Sequence, residues 1–159
     1  MFFDYKRQYN LDIKVVRIFN TYGPRMSPND GRVVSNLIVQ ALKNAEISIY
    51  GDGRQTRSFC YVDDTVEALI KIMELPKSLC GPINVGNPVE MSVLQLAQAV
   101  VSLCRSNSLL SFRPLPSDDP RQRRPNIDLI KSLAHWQPHT ALEDGLQKTI
   151  AYFRQENLI

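Results

Sequence analysis

The sequence predicts an α/β fold in which strands are covered by helices and ligands gather at strand ends. Three observations carry that expectation. Short β-branched apolar runs alternate with helical periodicities along the chain, Gly, Pro and Asn punctuate the runs, and several helices open on capping patterns.

The first segment, MFFDYKRQYN, has helical character with no capping residue ahead of it, as in a helix entered part-way. Ile13 to Phe19 reads as a buried strand bounded by Asn20 and Gly23-Pro24. Val34, Leu37, Ile38, Ala41 and Leu42 then recur at helical spacing. The stretch EISIYGDGRQTRSF alternates apolar residues about Asp52-Gly53 and predicts a hairpin. Asp64, with Glu67 in the reciprocal position, is expected to cap a helix whose apolar stripe is Val66, Leu69, Ile70 and Met73 and which Pro76 stops. GPINVGNP is a short strand between breakers. Ser92 and Gln95 form a capping box for a helix running to about Leu103. LSFRPLP is strand-like, Ile127 to Ala134 is helical, and Thr140 with Glu143 is expected to cap a last helix carrying Leu142, Leu146, Ile150 and Phe153. No repeat and no linker interrupts the pattern.

A chain of 159 residues with 43% hydrophobic composition is long enough to bury a core. Its 19 basic and 16 acidic residues leave a charge of only +3, which argues against a nucleic-acid or membrane surface, so anion recognition must be local. Cys60, Cys80 and Cys104 are odd in number and widely spaced, which supports neither a disulfide framework nor a zinc ribbon and fits a reducing compartment. His135 and His139 flank Trp136 with no acidic residue at useful sequence spacing and read as surface or packing residues. The adjacent pairs Asp63/Asp64 and Asp118/Asp119 are poor candidates for paired carboxylate chemistry, because neighbouring side chains point in different directions.

Four polar clusters remain. In RIFNTYGPRM, Asn20 and Thr21 stand at a strand end, where they either meet a ligand or close a turn on their own backbone. In GDGRQTRSF, Arg54 and Arg57 offer guanidinium forks that suit a diphosphate, or solvated charges. DDPRQRRPN is either a proline-stiffened anion loop or a self-neutralising surface segment. NDGRVVSN places Arg32 at a helix start and Asn36 one turn in, where free N–H groups suit an anion or a base edge, or are simply capped.

Taken in order, RIFNTYGPRM, NDGRVVSN, YGDGRQTRSFCYVDD, GPINVGNP, DDPRQRRPNI and ALEDGLQKTIAYFR closely resemble the C-terminal half of the UDP-glucuronate decarboxylases, also called UDP-xylose synthases. These are nucleotide-sugar enzymes of the extended short-chain dehydrogenase/reductase family. The resemblance implies the last strands of an NAD(P)-binding Rossmann-type fold together with its smaller substrate-binding subdomain, residues 1–159 forming that C-terminal portion without the dinucleotide-binding half. It implies that Asn20 and Arg57 contact the diphosphate region of a UDP-sugar. Arg124 would reach the ribose or phosphate, Tyr5 and Gln8 would face the sugar, and the segment from Val33 to Leu37, with Val34 and Asn36, would hold the uracil together with Tyr50. Thr21 and Arg32 would approach the NAD side.

In such an enzyme NAD oxidises the sugar C4 hydroxyl with a tyrosinate as base, the resulting β-keto acid loses carbon dioxide, and the reduced cofactor restores C4 to give UDP-xylose. The Tyr-x-x-x-Lys pair and glycine-rich turn this needs do not occur in the sequence, so the chain alone is expected to be inactive. By resemblance that tyrosine lies about ten residues before Met1. The longer enzyme is expected to be a homodimer in the cytoplasm, or in the Golgi lumen where a membrane anchor precedes it, with no nucleic-acid or membrane contact from this segment. Asn126 replaces the usual aspartate after Arg-Pro, and SLAHW replaces a leucine-glycine-tryptophan, which puts a helix cap and a turn in question.

Overall fold

A computed structural model describes residues 1–115 and 122–155. Asp118 and Asp119 lie outside them. Helix α1 (Phe2–Tyr9) leads through an extended segment into β1 (Val16–Ile18) and β2 (Thr21–Tyr22). Helix α2 (Val33–Leu42), β3 (Ile47–Tyr50), β4 (Thr56–Ser58), β5 (Cys60–Tyr61) and α3 (Val62–Met73) follow. Next come β6 (Ile83–Val85), β7 (Glu90–Ser92), α4 (Val93–Cys104), β8 (Leu110–Arg113), β9 (Gln122–Arg123), α5 (Asp128–Ala134) and α6 (Leu142–Gln155).

The pairings are mainly parallel: β1 with β6, β2 with β5, β3 with β8, and β4 with β9, while β7 runs antiparallel to β4 on its other side. Parallel pairing with helical crossovers is the α/β arrangement the alternation predicts. The buried side chains form two clusters. The larger joins α2, α4 and α6 to β3 through Leu37, Ile38, Ile47, Ile49, Leu96, Leu146 and Phe153. The smaller packs α3 and α5 on β6 through Ala68, Ile72, Ile83, Val85, Ile130 and Trp136.

Four local expectations are overturned. The segment from Glu46 to Phe59 is not a hairpin, since β3 pairs with β8 and β4 with β7 and β9. Its central turn, with Gly51 and Gly53 at positive φ, carries the chain from one sheet to another. Asp64 does not cap α3: the N-cap is Tyr61, and Asp64 is fully buried in the first turn. Its carboxylate accepts from the Thr140 amide (3.1 Å) and hydroxyl (2.9 Å), so Thr140 ties the lead into α6 to α3 instead of capping α6. The face of α3 turned inward is Asp64, Thr65, Ala68 and Ile72, and the apolar residues Val66, Ile70 and Met73 are exposed.

The two departures from the family pattern are absorbed locally. The Asn126 side-chain oxygen accepts from the Asp128 amide at 2.8 Å and so serves the start of α5 as an aspartate would. His135 takes the left-handed conformation at the end of α5 (φ 48°), where glycine is the usual choice. The Ser92 and Gln95 box is present, with Gln95 N–H donating to the Ser92 hydroxyl at 3.1 Å.

Candidate functional site

Parallel strands deliver their carboxyl ends to one side, and the polar clusters gather there. Asn20 stands two residues past the end of β1. Its side-chain amide donates to the Ser58 carbonyl (3.2 Å) while its own carbonyl accepts from Cys60 (2.9 Å), which fixes it between β1 and the β4–β5 segment. Thr21 is committed to the structure, its hydroxyl donating to the Phe19 carbonyl and lying 3.2 Å from that of Thr65.

Asn20, Thr21, Arg32, Val34 and Arg57 line one cavity of about 100 Å³ together with Met26, Val33 and Phe59. A second cavity, of about 180 Å³, shares Val33 and Arg57 with it and is closed by Asn36, Ser48, Tyr50 and Gln55. A third, of about 490 Å³, shares Asn20, Thr21 and Arg32 and adds Arg17 and Arg123. Shared walls make the three one groove. Among the described residues that line it are four arginines and no carboxylate.

The arginines are held differently. Arg57 on β4 is only 9% exposed, and its guanidinium donates to the Thr56 carbonyl at 2.8 Å. Arg32, at the entrance to α2, is gripped by Asp30 through Nε (2.7 Å) and a second nitrogen (2.6 Å), with its remaining nitrogen 3.4 Å from the Thr21 carbonyl. Burial works to raise the Asp30 carboxyl, but the Ser35 hydroxyl and the Arg32 amide and guanidinium outweigh it and hold it below its ordinary value. This cluster pins the N-terminal end of α2 at the groove. In the second cavity the Asn36 side chain donates to the Gly31 carbonyl (3.1 Å) and the Gln55 side chain to the Tyr50 carbonyl (2.7 Å).

Not every expected residue arrives. Arg124 lies 3.8 Å from the Glu90 carboxylate and lines a cavity of about 580 Å³ with Asn87, Pro125 and Lys131, not the three cavities of the groove. The parallel register that sets Arg57 opposite Arg123 explains this: Arg123 shares the face of Arg57, and the next residue turns the other way. Arg54 is exposed beside Asp52 and lines none of the three cavities. Tyr5 and Gln8 stand on α1, which buries no residue, with Tyr5 against Tyr9. Neither lines the groove. Arg17, Ser48, Gln55 and Arg123 are groove residues the sequence reading does not select. Strand register alone identifies Arg123.

The buried thiols Cys60 and Cys104 are pushed by burial up to about 11, which leaves them un-ionised at neutral pH and unfit as nucleophiles. His139 has acidic neighbours after all. Its Nδ1 lies 3.1 Å from Asp64 and 3.7 Å from Glu67, both brought from α3 by the fold.

The chain is 47% identical over 156 residues to UDP-glucuronic acid decarboxylase 1 of Danio rerio, covering 98% of this chain and 37% of that protein. It is 47% identical over 152 residues to UDP-glucuronic acid decarboxylase 4 of Arabidopsis thaliana, covering 96% of this chain and 34% of that one. It thus spans about a third of the length of these curated relatives. Among solved structures, the UDP-glucose 4-epimerase of Thermotoga maritima, with UDP-glucose, superposes with a TM-score of 0.90 at 30% identity, over 98% of this chain and 50% of that one. The UDP-glucuronic acid 4-epimerase of Bacillus cereus, in complex with UDP-glucuronic acid and NAD, gives 0.87 at 28% identity over 97% and 49%. The family model for the NAD dependent epimerase/dehydratase family matches residues 1–86, more than half of the sequence. With the parallel sheet, the strand-end groove and these likenesses in agreement, the chain belongs to the NAD dependent epimerase/dehydratase family.

Proposed function

We propose that the chain is the sugar-nucleotide-binding portion of a UDP-glucuronate decarboxylase, made of the last strands of the Rossmann-type sheet and the smaller substrate subdomain. The observation that carries this reading is the groove itself: among the described residues that line it are Arg17, Arg32, Arg57 and Arg123, and it runs on into the cavity at the start of α2. A diphosphate is matched by guanidinium forks, with Arg57 and Arg123 side by side on paired strands. Asn20 stands beside them. The second cavity, with Val33, Asn36 and Tyr50, takes the uracil end, with Val34 on the adjoining wall, and free N–H groups of the helix start add donors.

NAD is the cofactor named for the family, and Thr21 and Arg32 would stand on its side of the groove. This sequence has no glycine-rich dinucleotide turn. No redox or decarboxylation step is therefore assigned to this chain. Its residues bind and orient the substrate. No described helix is long and apolar enough to cross a membrane, and three free thiols support a cytoplasmic setting. The homodimer expected of the longer enzyme rests on resemblance alone.

Binding of UDP-glucuronate, measured by calorimetry, tests the reading. Wild-type chain is expected to bind it, and Arg57→Ala to lose tenfold or more, about 1.4 kcal/mol. Equal binding by the variant, or none by the wild type, sinks the proposal. The epimerase neighbours favour a second substrate reading, with UDP-glucose taken as well as UDP-glucuronate. Tighter binding of UDP-glucose would favour it.

A further inference from the structure

We propose that Asp64, Glu67 and His139 form a binding site for one divalent transition-metal ion of the zinc class, away from the nucleotide groove. These residues converge only through folding. Asp64 and Glu67 lie one turn apart on α3, and His139 comes from the segment that leads into α6. Their donor atoms all lie within 4.8 Å of one another.

The spacing fits a tetrahedral ion. Zinc bonds to nitrogen and carboxylate oxygen of about 2.0–2.1 Å place neighbouring donors about 3.3 Å apart. Two of the three donor separations, 3.1 Å (His139 Nδ1 to Asp64 Oδ1) and 3.7 Å (His139 Nδ1 to Glu67 Oε2), bracket that value, and the third, between the carboxylates, lies within 4.8 Å. Direct bonding explains only the first contact, because 3.7 Å is beyond hydrogen-bond range. A shared ion accounts for both.

The supporting contacts are those a metal ligand needs. Thr140 donates to each oxygen of Asp64, fixing the carboxylate and leaving an Oδ1 lone pair toward His139. Lys71 holds the other Glu67 oxygen, Oε1, at 3.0 Å, so Oε2 is presented to the imidazole. One carboxylate is fully buried while the His139 side chain is 68% exposed, which provides an anchor and an entry path. The donor set decides the ion. An imidazole with two carboxylates suits zinc or cobalt, whereas magnesium and calcium prefer all-oxygen surroundings. None of the three residues lines the groove, so the ion is a staple between α3 and α6, not a reactant.

The test uses the untagged, chelator-stripped chain at low concentration, titrated with Zn²⁺ by calorimetry and with Co²⁺ by visible absorption. His139→Gln, Glu67→Gln and the thiol control Cys80→Ser are run in parallel, with circular dichroism to confirm each fold. The expected result is one ion per chain, a tetrahedral cobalt spectrum without thiolate charge transfer, and a Tm raised by zinc but not by magnesium. Both site variants should bind about tenfold or more weakly, and Cys80→Ser like wild type. Unchanged binding in the site variants, an unsaturable isotherm, or loss of the signal in Cys80→Ser would overturn the proposal in favour of a plain histidine–carboxylate contact or adventitious thiol binding.

Discussion

Arg123 and Arg124 differ by one position and by the cavity they line. Binding measurements should separate them: Arg123→Ala is expected to weaken UDP-glucuronate severalfold to tenfold, as loss of a charge-assisted contact does. Arg124→Ala should change it by less than about twofold, since that residue faces Glu90 instead of the groove. The reverse order would show that the register argument has chosen the wrong residue. Asp30 offers a pH test at the same scale. Its carboxyl is held below the ordinary value in the folded chain, so its contribution is present above the unfolded value of 3.8 and is lost as pH falls through the lower folded value. Folding stability should therefore fall in acid below about pH 4, as read by denaturant unfolding, and Asp30→Asn should remove that part of the profile. A profile identical in the variant refutes the link. At this scale the sequence reads well where a residue's role is set by its neighbours in the chain, as with Asn20 at the end of β1. It reads poorly where segments distant in sequence decide the outcome, as for Arg124 and His139.

Helix α6 shows how an element's sequence becomes a packing constraint. Gly145 sits in its first turns against Tyr22 and Tyr61, and an added Cβ would fall on the Tyr22 hydroxyl and 2.9 Å from a Tyr61 ring carbon. Tyr22 is buried, with its hydroxyl donating to the Leu142 carbonyl at 3.2 Å, so it has little room to yield. Gly145→Ala should destabilise the chain by about 1–3 kcal/mol in chemical denaturation, because overpacking outweighs the roughly 1 kcal/mol gain in helix propensity. An increase in stability would show that the tyrosines move aside. The Ser92–Gln95 box was legible because both partners lie within one turn. The hairpin expected around Asp52-Gly53 was not found, since alternation predicts a strand but not its partner. The inward face of α3 was misread for a related reason: its apolar stripe at Val66, Ile70 and Met73 is exposed, and the buried face carries Asp64, which Thr140 satisfies from a distant segment.

Across the whole molecule, β1 pairs only with β6 among the described residues, and Ile18 on it is 53% exposed. An exposed edge strand invites association with another chain. The chain is expected to self-associate with rising concentration, and Ile18→Lys to reduce this in light scattering or sedimentation. Concentration-independent monomer in the wild type would contradict it. The sequence by itself determined the α/β class, most helix positions and the polar clusters at Asn20, Arg32 and Arg57, because periodicity, breakers and caps act over a few residues. Tertiary structure alone decided that Arg123 faces the groove, that β3 and β4 belong to different sheets, and that His139 meets two carboxylates from α3. Those outcomes are set by pairings between segments dozens of residues apart, whose free energy comes from burying shared apolar surface, and no local pattern encodes which partner that surface meets.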